Sequence, residues 1–187
     1  MVADHVDLVL EQWATQRPDL DVFPMAVIGR LKRLAPLIGA ELGRTFNAHG
    51  LDAASFDVLA TLRRSAPPHQ LTPTELMRTS MVTSGAITQR LDRLQARGLV
   101  TRTPNESDGR GVHVALTDAG RTLINAALPD HVDTEKRLLA ALTTAQRDAL
   151  ADILRTLLES LGDTTEQTHS RTSPDQVHDT TGTRDPA

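Results

Sequence analysis

Hydroxyl, amide and guanidinium side chains are concentrated between residues 78 and 110. This segment holds six arginines and no lysine against three acids, a local balance of about +3 in a chain whose net charge is −4. Guanidinium groups bind phosphate, whereas hydroxyl and amide groups read the edges of bases. A local basic surface on an acidic protein therefore predicts attraction to nucleic acid. The candidate DNA contacts are Thr83, Ser84, Thr88, Gln89, Arg93 and Arg110.

A helix must hold most of these side chains away from the core. Ile87, Leu91 and Leu94 recur at i, i+4 and i+7, which predicts an inward apolar face. Gly98 stands where a left-handed residue ends a helix. The candidate N-caps are Thr83 and Ser84. The opposite face then carries the small or hydrogen-bonding residues Ser84, Gly85, Thr88, Gln89 and Asp92, as a recognition helix in a major groove requires.

Three arginines form a separate ridge on this helix, beside the apolar face. Arg90, Arg93 and Arg97 follow one another at i, i+3 and i+7. The pattern leaves two possibilities open, because these side chains can reach phosphates or turn inward toward an acid.

The flanking segments complete a winged helix-turn-helix. Thr72 as N-cap, Pro73 at the first helical position and Glu75 three residues after the cap predict a short helix that ends near Thr79. After the arginine helix, residues 99–102 and 112–116 have the composition of strands, and the turn-rich residues 104–111 form a hairpin tip. The predicted fold class is mainly α with a small β wing.

The segment SGAITQRLDRLQARGLVTRTPNESDGRGVHVALTDAGR resembles the recognition helix and wing of the MarR family of bacterial transcription regulators. Asp108 and Arg110 match the Asp-x-Arg motif of the wing, and Leu116 to Gly120 match its Leu-Thr-x-x-Gly continuation. The similarity extends from about Val22 to Gly162. It implies a homodimer built from the N- and C-terminal helices, which binds palindromic operator DNA and is released from it by a small anionic metabolite; a repressor is the expected role.

The remaining periodicity predicts the other helices. They are expected at residues 3–16, from Pro24 to Asn47 with a kink at Pro36, from Ala53 to Ser65, from Thr117 through a bend or division at Pro129, and from Thr143 or Thr144 to Gly162. The wide apolar stripe of the last helix suits either an intrachain core or a dimer interface, and the resemblance favours the dimer.

Five regions follow from these boundaries. They are an extra N-terminal helix (1–21), a dimerisation helix (22–50), the DNA-binding lobe (51–120), C-terminal dimerisation helices (121–162) and a tail rich in Thr, Asp, Pro, Gly and Ser that is expected to be disordered (163–187).

Composition excludes several classes of site. The chain has 187 residues and no cysteine, so disulfides, thiolate metal sites and cysteine redox sensing are ruled out. No histidine pair has metal-ligand spacing, and no phosphate loop or nucleophile elbow is present, so neither a metal site nor an enzyme is expected. Without a signal peptide or a long apolar run, the expected location is the cytoplasm.

Two further segments resemble the urate-responsive branch of the MarR family. They are EQWATQRPDLDVFPMAVIGRLKRL, residues 11–34, and FDVLATLRR, residues 56–64. The resemblance implies a pocket between the dimerisation and DNA-binding lobes, with Trp13, Asp57, Arg90 and Arg102 as ligand-binding residues. The effector would be urate, or a tricarboxylate such as trans-aconitate or citrate, and no cofactor is implied. Such an anion would take an arginine from the aspartate and thereby shift the recognition helix.

Each of these residues also has a simpler interpretation. Trp13 can be a packing residue, Asp57 an exposed polar residue and Arg102 a phosphate contact, while Arg93 and Arg97 are alternatives to the two ligand-binding arginines. His131 is a candidate pH-sensitive contact near the dimer helices. The alternative functions are a winged-helix module that binds proteins instead of DNA, and a regulator that responds to a phenolic ligand.

Overall fold

The computed structural model describes residues 2–81, 87–104 and 111–164. Within these ranges the chain is mainly helical, with one small antiparallel sheet. The helices are α1 (His5–Gln16), α2 (Phe23–Ala48), α3 (Ala53–Arg64), α4 (Pro73–Thr79), α5 (Ile87–Ala96), α6 (Asp118–Leu138) and α7 (Thr144–Ser160). The strands are β1 (Gln70–Leu71), β2 (Val100–Pro104) and β3 (Val112–Leu116).

Helix α3 lies at the centre of the core. All its residues from Ser55 to Leu62 are buried, and it contacts α2, α4, α5, α6 and β3. A helix buried on every side must satisfy its polar side chains within the protein. The core around it is formed by apolar side chains from the other elements, including Phe46, Leu76, Leu91, Leu94, Val100, Val114 and Ile124.

The predicted helix-turn-helix elements are confirmed in the described residues. Thr72 Oγ1 accepts a hydrogen bond from the backbone N–H of Glu75 at 3.2 Å, and Glu75 Oε2 accepts one from the N–H of Thr72 at 2.7 Å, so the capping box before α4 is complete. This backbone hydrogen bond holds the pKa of Glu75 below its usual value. In α5, Leu91 and Leu94 are buried, and Gly98 ends the helical segment with φ +67°. Both candidate N-caps of α5, Thr83 and Ser84, lie outside the described residues.

The sheet has the order β1-β3-β2 with antiparallel pairing throughout. In the wing, β2 and β3 pair from Val100 opposite Leu116 to Pro104 opposite Val112. Strand β1 was not predicted, because two residues are too short to show an alternating pattern. It pairs with β3 and so links the α3–α4 connection to the wing.

Helices α2 and α6 both continue through an internal proline. The prediction that Pro36 would not stop its helix is confirmed, since α2 runs on to Ala48. Pro129 does not divide its segment either, because α6 is one helix from Asp118 to Leu138. Helix α1 is attached to α2 by Arg30, which pairs with both Asp4 and Asp7.

The chain divides into two compact units, with the boundary in the sequence between Ala141 and Leu142. In the second unit, Thr143 caps α7 through a capping box with Gln146, and Gly162 follows the helix with φ +87°. No residue of α7 is buried. The five predicted regions stay predictions, and most of the predicted disordered tail lies outside the described residues.

Candidate nucleic-acid interface and effector site

Helix α5 presents a polar face to solvent, opposite its apolar face. Thr88, Gln89 and Arg93 are exposed, while Leu91 and Leu94 are buried against the core. The core therefore holds this short helix from one side and leaves its hydrogen-bonding groups free to meet a ligand. The other predicted DNA contacts, Thr83, Ser84 and Arg110, lie outside the described residues.

The ridge of arginines on α5 faces an acid that the sequence interpretation missed. Asp52 caps α3, and its Oδ1 accepts a hydrogen bond from the backbone N–H of Ser55 at 2.6 Å. Burial raises the pKa of this carboxyl, but the hydrogen bonds from Ser55 and the charges of Arg90 and Arg93 together bring the pKa below its usual value. Aspartate directly before a helix is an N-cap signal, so Asp52 was recognisable from the sequence as a cap. Its proximity to the arginines was not, because they are about 40 residues further along the chain.

Arg102 lies in the wing and reaches back to the recognition helix. Its Nη1 donates a hydrogen bond to Asp92 Oδ1 at 2.7 Å, and its Nη2 donates to the carbonyl oxygen of Thr88 at 3.3 Å. The side chain of Arg102 is 26% exposed and that of Asp92 is 56% exposed. The ion pair therefore joins β2 to the same face of α5 that carries Thr88.

Arg90 and Arg102 are on opposite sides of α5. Residues two apart on an α-helix are separated by roughly 200° around its axis. Arg90 is two residues from both Thr88 and Asp92, the residues that Arg102 contacts, and its charge instead lowers the pKa of Asp52. The described arrangement consequently does not bring these two predicted ligand-binding arginines together.

The other two predicted ligand-binding residues have very different environments. Asp57 is 7% exposed on the central helix α3, so the interpretation of Asp57 as an exposed polar residue is wrong. Trp13, on α1, is 39% exposed, and the buried residue of that helix is Val6. The assignment of Trp13, Asp57, Arg90 and Arg102 to one pocket stays a prediction.

A separate cavity of about 470 Å³ lies between α1 and α2. None of the four predicted ligand-binding residues lines it. Apolar side chains and Gly29 form its walls together with the basic residues His5, Lys32 and Arg33. Because only residues of α1 and α2 line it, it differs from the pocket between the dimerisation and DNA-binding lobes that the resemblance implies.

His131 belongs to an aromatic cluster. Its ring centroid lies 4.7 Å from that of Phe56 and 5.5 Å from that of Phe46. Its Nε2 is 3.3 Å from Glu135 Oε1, whereas its Nδ1 is buried and has no hydrogen-bond partner. The role of His131 as a pH-sensitive contact stays a prediction.

The described residues contain neither a metal site nor a membrane-spanning helix. No group of three or more histidine or acidic side chains there is arranged to hold a metal ion. Among the helices in the same ranges, none is long and apolar enough to cross a membrane.

Comparison with known proteins places the whole arrangement in one family. Residues 49–111 match the model of the MarR family. The transcriptional regulator PecS of Dickeya dadantii is 40% identical over 150 residues, which cover 80% of this chain and 90% of PecS. The structure of Sco3205, a MarR family transcriptional regulator from Streptomyces coelicolor in complex with DNA, is similar with a TM-score of 0.70 and 28% identity, over 79% of this chain and 92% of Sco3205.

A second DNA complex is similar as well. A mutant MarR from Escherichia coli, complexed with operator DNA, matches with a TM-score of 0.64 and 32% identity, over 74% of this chain and 99% of that protein. The similarity to PecS covers most of both chains, and the two DNA complexes share the fold over about three quarters of this chain. This chain belongs to the MarR family of transcriptional regulators.

Proposed function

We propose that this chain is a transcriptional repressor that binds palindromic operator DNA as a homodimer and is released by a small anionic metabolite in the cytoplasm. The exposed polar face of α5, held beside a β wing, is the observation that carries the proposal. Thr88 and Gln89 are on that face, with Arg93 on the adjacent ridge. The similarity to two structures determined with DNA supports the same interpretation.

In this proposal α5 enters the major groove. Hydroxyl and amide groups at the start of a recognition helix read base edges, which is the role proposed for Thr83, Ser84, Thr88 and Gln89. Arg93 neutralises a phosphate. Arg110, near the end of the wing, reaches the minor groove or its phosphates. Binding should weaken steeply with added salt, because each neutralised phosphate releases counterions.

Exposed apolar side chains support a homodimer. Phe23 and Leu37 on α2 are 71% and 64% exposed, Ile153 on α7 is 64% exposed, and Leu161, the C-cap of α7, is 77% exposed. Large apolar groups on two long helices favour burial against a second copy. A symmetric dimer also presents two recognition helices to the two halves of a palindrome.

The proposed effector is urate, or a tricarboxylate such as trans-aconitate or citrate. The proposed ligand-binding residues are Trp13, Asp57, Arg90 and Arg102. The burial of Asp57 supports a role for this carboxylate, since a buried acid responds strongly when a neighbouring charge changes. Because Arg90 and Arg102 lie on opposite sides of α5, one anion can engage both only if α5 turns or shifts. Such movement would displace the proposed DNA-reading face, which links effector binding to DNA release.

Gel-shift titration on the DNA beside the protein's own gene tests the repressor proposal. The wild type should retard this DNA, and Arg93→Ala should weaken binding and lower its salt dependence by about one released counterion. Arg155→Ala is the matched control, because Arg155 is an exposed arginine of α7 paired with Asp152. Absence of binding even at low salt would contradict the proposal and favour a protein-binding module.

The single tryptophan offers a direct test of the effector site. Saturable quenching of Trp13 fluorescence by urate or trans-aconitate is expected, together with release of the DNA. Asp57→Asn should weaken the effector affinity, whereas Asp133→Asn, an exposed acid paired with Lys136, should not. If only a phenolic ligand released the DNA, the effector would belong to that class instead of the proposed urate or tricarboxylate class. Unchanged effector affinity of the Asp57 variant would remove Asp57 from the proposed pocket.

A further inference from the structure

Arg102 occupies an inner position of the wing where alternation favours an apolar residue. Successive residues of a strand point to opposite faces, so Arg102 shares a face with Val100, which is buried. Its partner across the sheet is Val114, which is fully buried. Strand β2 packs against α5 on this side. The Arg102 side chain therefore extends from the inner face of the wing toward the recognition helix.

The guanidinium of Arg102 bonds to two residues of α5 that are four positions apart in the sequence. It bonds to the carboxylate of Asp92 and to the carbonyl oxygen of Thr88, at 2.7 Å and 3.3 Å. Two hydrogen bonds to separate acceptors restrict the rotation of the wing relative to α5 as well as the distance between them, because a planar guanidinium donates in more than one direction. The chain between α5 and β2 includes Gly98 in the left-handed region, so these bonds add to the core packing of Leu94 and Val100 in setting the angle between helix and wing.

Asp92 is the single acid in the described residues of α5. It lies one turn after Thr88, on the face proposed above to meet DNA. A carboxylate there would repel phosphate, and pairing with Arg102 offsets its charge. The same ion pair thus removes an unfavourable charge and fixes the wing.

We infer that Arg102 and Asp92 are positioning residues that set the wing against the recognition helix, so that the two elements reach adjacent grooves together. This inference rests on the proposed DNA-binding function. It concerns the chain without effector and assigns Asp92 a role that is separate from the proposed ligand pocket. Asp92 need not contact DNA to perform it.

Hydroxyl-radical footprinting and affinity measurements on operator DNA test the inference. The variants are Asp92→Asn, Arg102→Gln and the exchange of both residues, Asp92→Arg with Arg102→Asp. Each single variant should weaken binding about three- to fivefold, the range expected for a partly exposed ion pair. Protection should be lost at the flanks that the wing reaches and retained at the centre of each half-site. The exchange of both residues should restore much of the affinity and much of the protection at the flanks.

Two controls separate positioning from a general effect on folding. Asp133→Asn removes an acid from a comparable exposed pair, with 2.8 Å between Lys136 Nζ and Asp133 Oδ1, and should leave the footprint unchanged. Thermal unfolding identifies a variant that has lost its fold. Such a variant would protect the centre and the flanks of each half-site equally poorly. If Asp92→Asn gives the same complete footprint as the wild type and binds DNA equally tightly or more tightly, the inference is wrong but the proposed function still stands. A wild type that protects no DNA contradicts the proposed function and this inference with it.

Discussion

Thr45 on α2 and Thr134 on α6 share a hydrogen bond of 2.7 Å between their hydroxyl oxygens. Thr134 Oγ1 donates its own proton to the carbonyl oxygen of Asp130 at 2.9 Å, whereas the corresponding bond from Thr45 to the carbonyl oxygen of Glu41 is 3.4 Å long, so the geometry favours Thr45 as the donor in the pair. Thr134 also accepts a hydrogen bond from Arg137 at 2.8 Å. One buried hydroxyl therefore joins two long helices and orients an arginine.

Replacing Thr134 by valine should lower the free energy of unfolding by about 1–2 kcal/mol, because two donors lose their acceptor in a buried site. The double variant Thr45→Val with Thr134→Val should be more stable than the sum of the single changes indicates. Urea unfolding of the three variants measures this coupling. Strict additivity would show that the hydroxyl pair contributes nothing specific.

Asp52 should make the stability of the protein depend on pH. Its folded-state pKa lies below the ordinary value of 3.8, so its contribution is present above that value and is lost as the pH falls through the folded-state pKa. Asp52→Ala should cost about 1 kcal/mol near pH 7 through loss of the N-cap.

Urea unfolding between pH 6 and pH 3 measures the difference between wild type and Asp52→Ala. The difference should shrink toward the acid end. Asp52→Asn is the matched control, because asparagine also caps helices but does not titrate. A gap between wild type and Asp52→Ala that stays constant over this range would contradict the assigned charge effect.

Gly120 marks a point where α6 passes very close to the start of the wing. A Cβ atom on this residue would lie 1.9 Å from the carbonyl oxygen of Leu99. Since that oxygen belongs to the backbone, relief requires movement of α6 away from β2. Gly120→Ala should therefore destabilise the protein by roughly 3 kcal/mol or more.

Gly39 provides the control for this prediction. It lies in α2, and a Cβ atom there would meet no atom within 4 Å in the protomer. Gly39→Ala should raise the stability by up to about 1 kcal/mol through helix propensity. Thermal unfolding of both variants decides the matter, and equal effects would refute the close approach at Gly120.

His131 offers a prediction about the aromatic cluster. Phenylalanine at this position keeps a ring against Phe56 and Phe46 and removes the buried, unpartnered Nδ1. His131→Phe should raise the free energy of unfolding by about 1 kcal/mol. His131→Ala should lower it by roughly 2–3 kcal/mol, because it leaves a cavity beside two rings.

Chemical denaturation at a fixed pH compares these two variants with Glu135→Gln, which keeps the histidine but removes the neighbouring charge. If phenylalanine proved as harmful as alanine, the polar contact of His131 with Glu135 would outweigh its ring packing.

Local signals made much of this fold predictable. Three capping boxes, at Asp4, Thr72 and Thr143, join residues three apart, so their hydrogen bonds depend on local sequence alone. The buried face of α5 follows from helical periodicity, and Gly98 follows from the backbone conformation that ends the segment. These features depend on neighbouring residues alone.

The partners of the charged groups were decided by tertiary structure. The composition of the segment showed an excess of arginine, but not that Arg102 pairs with Asp92 or that Arg90 faces Asp52. Likewise, the sequence of α3 does not show whether Asp57 is exposed or buried. Its burial results from the packing of several other elements around that helix. Periodicity specifies which face of an element is apolar, whereas the partner of a polar side chain depends on how distant segments meet in space.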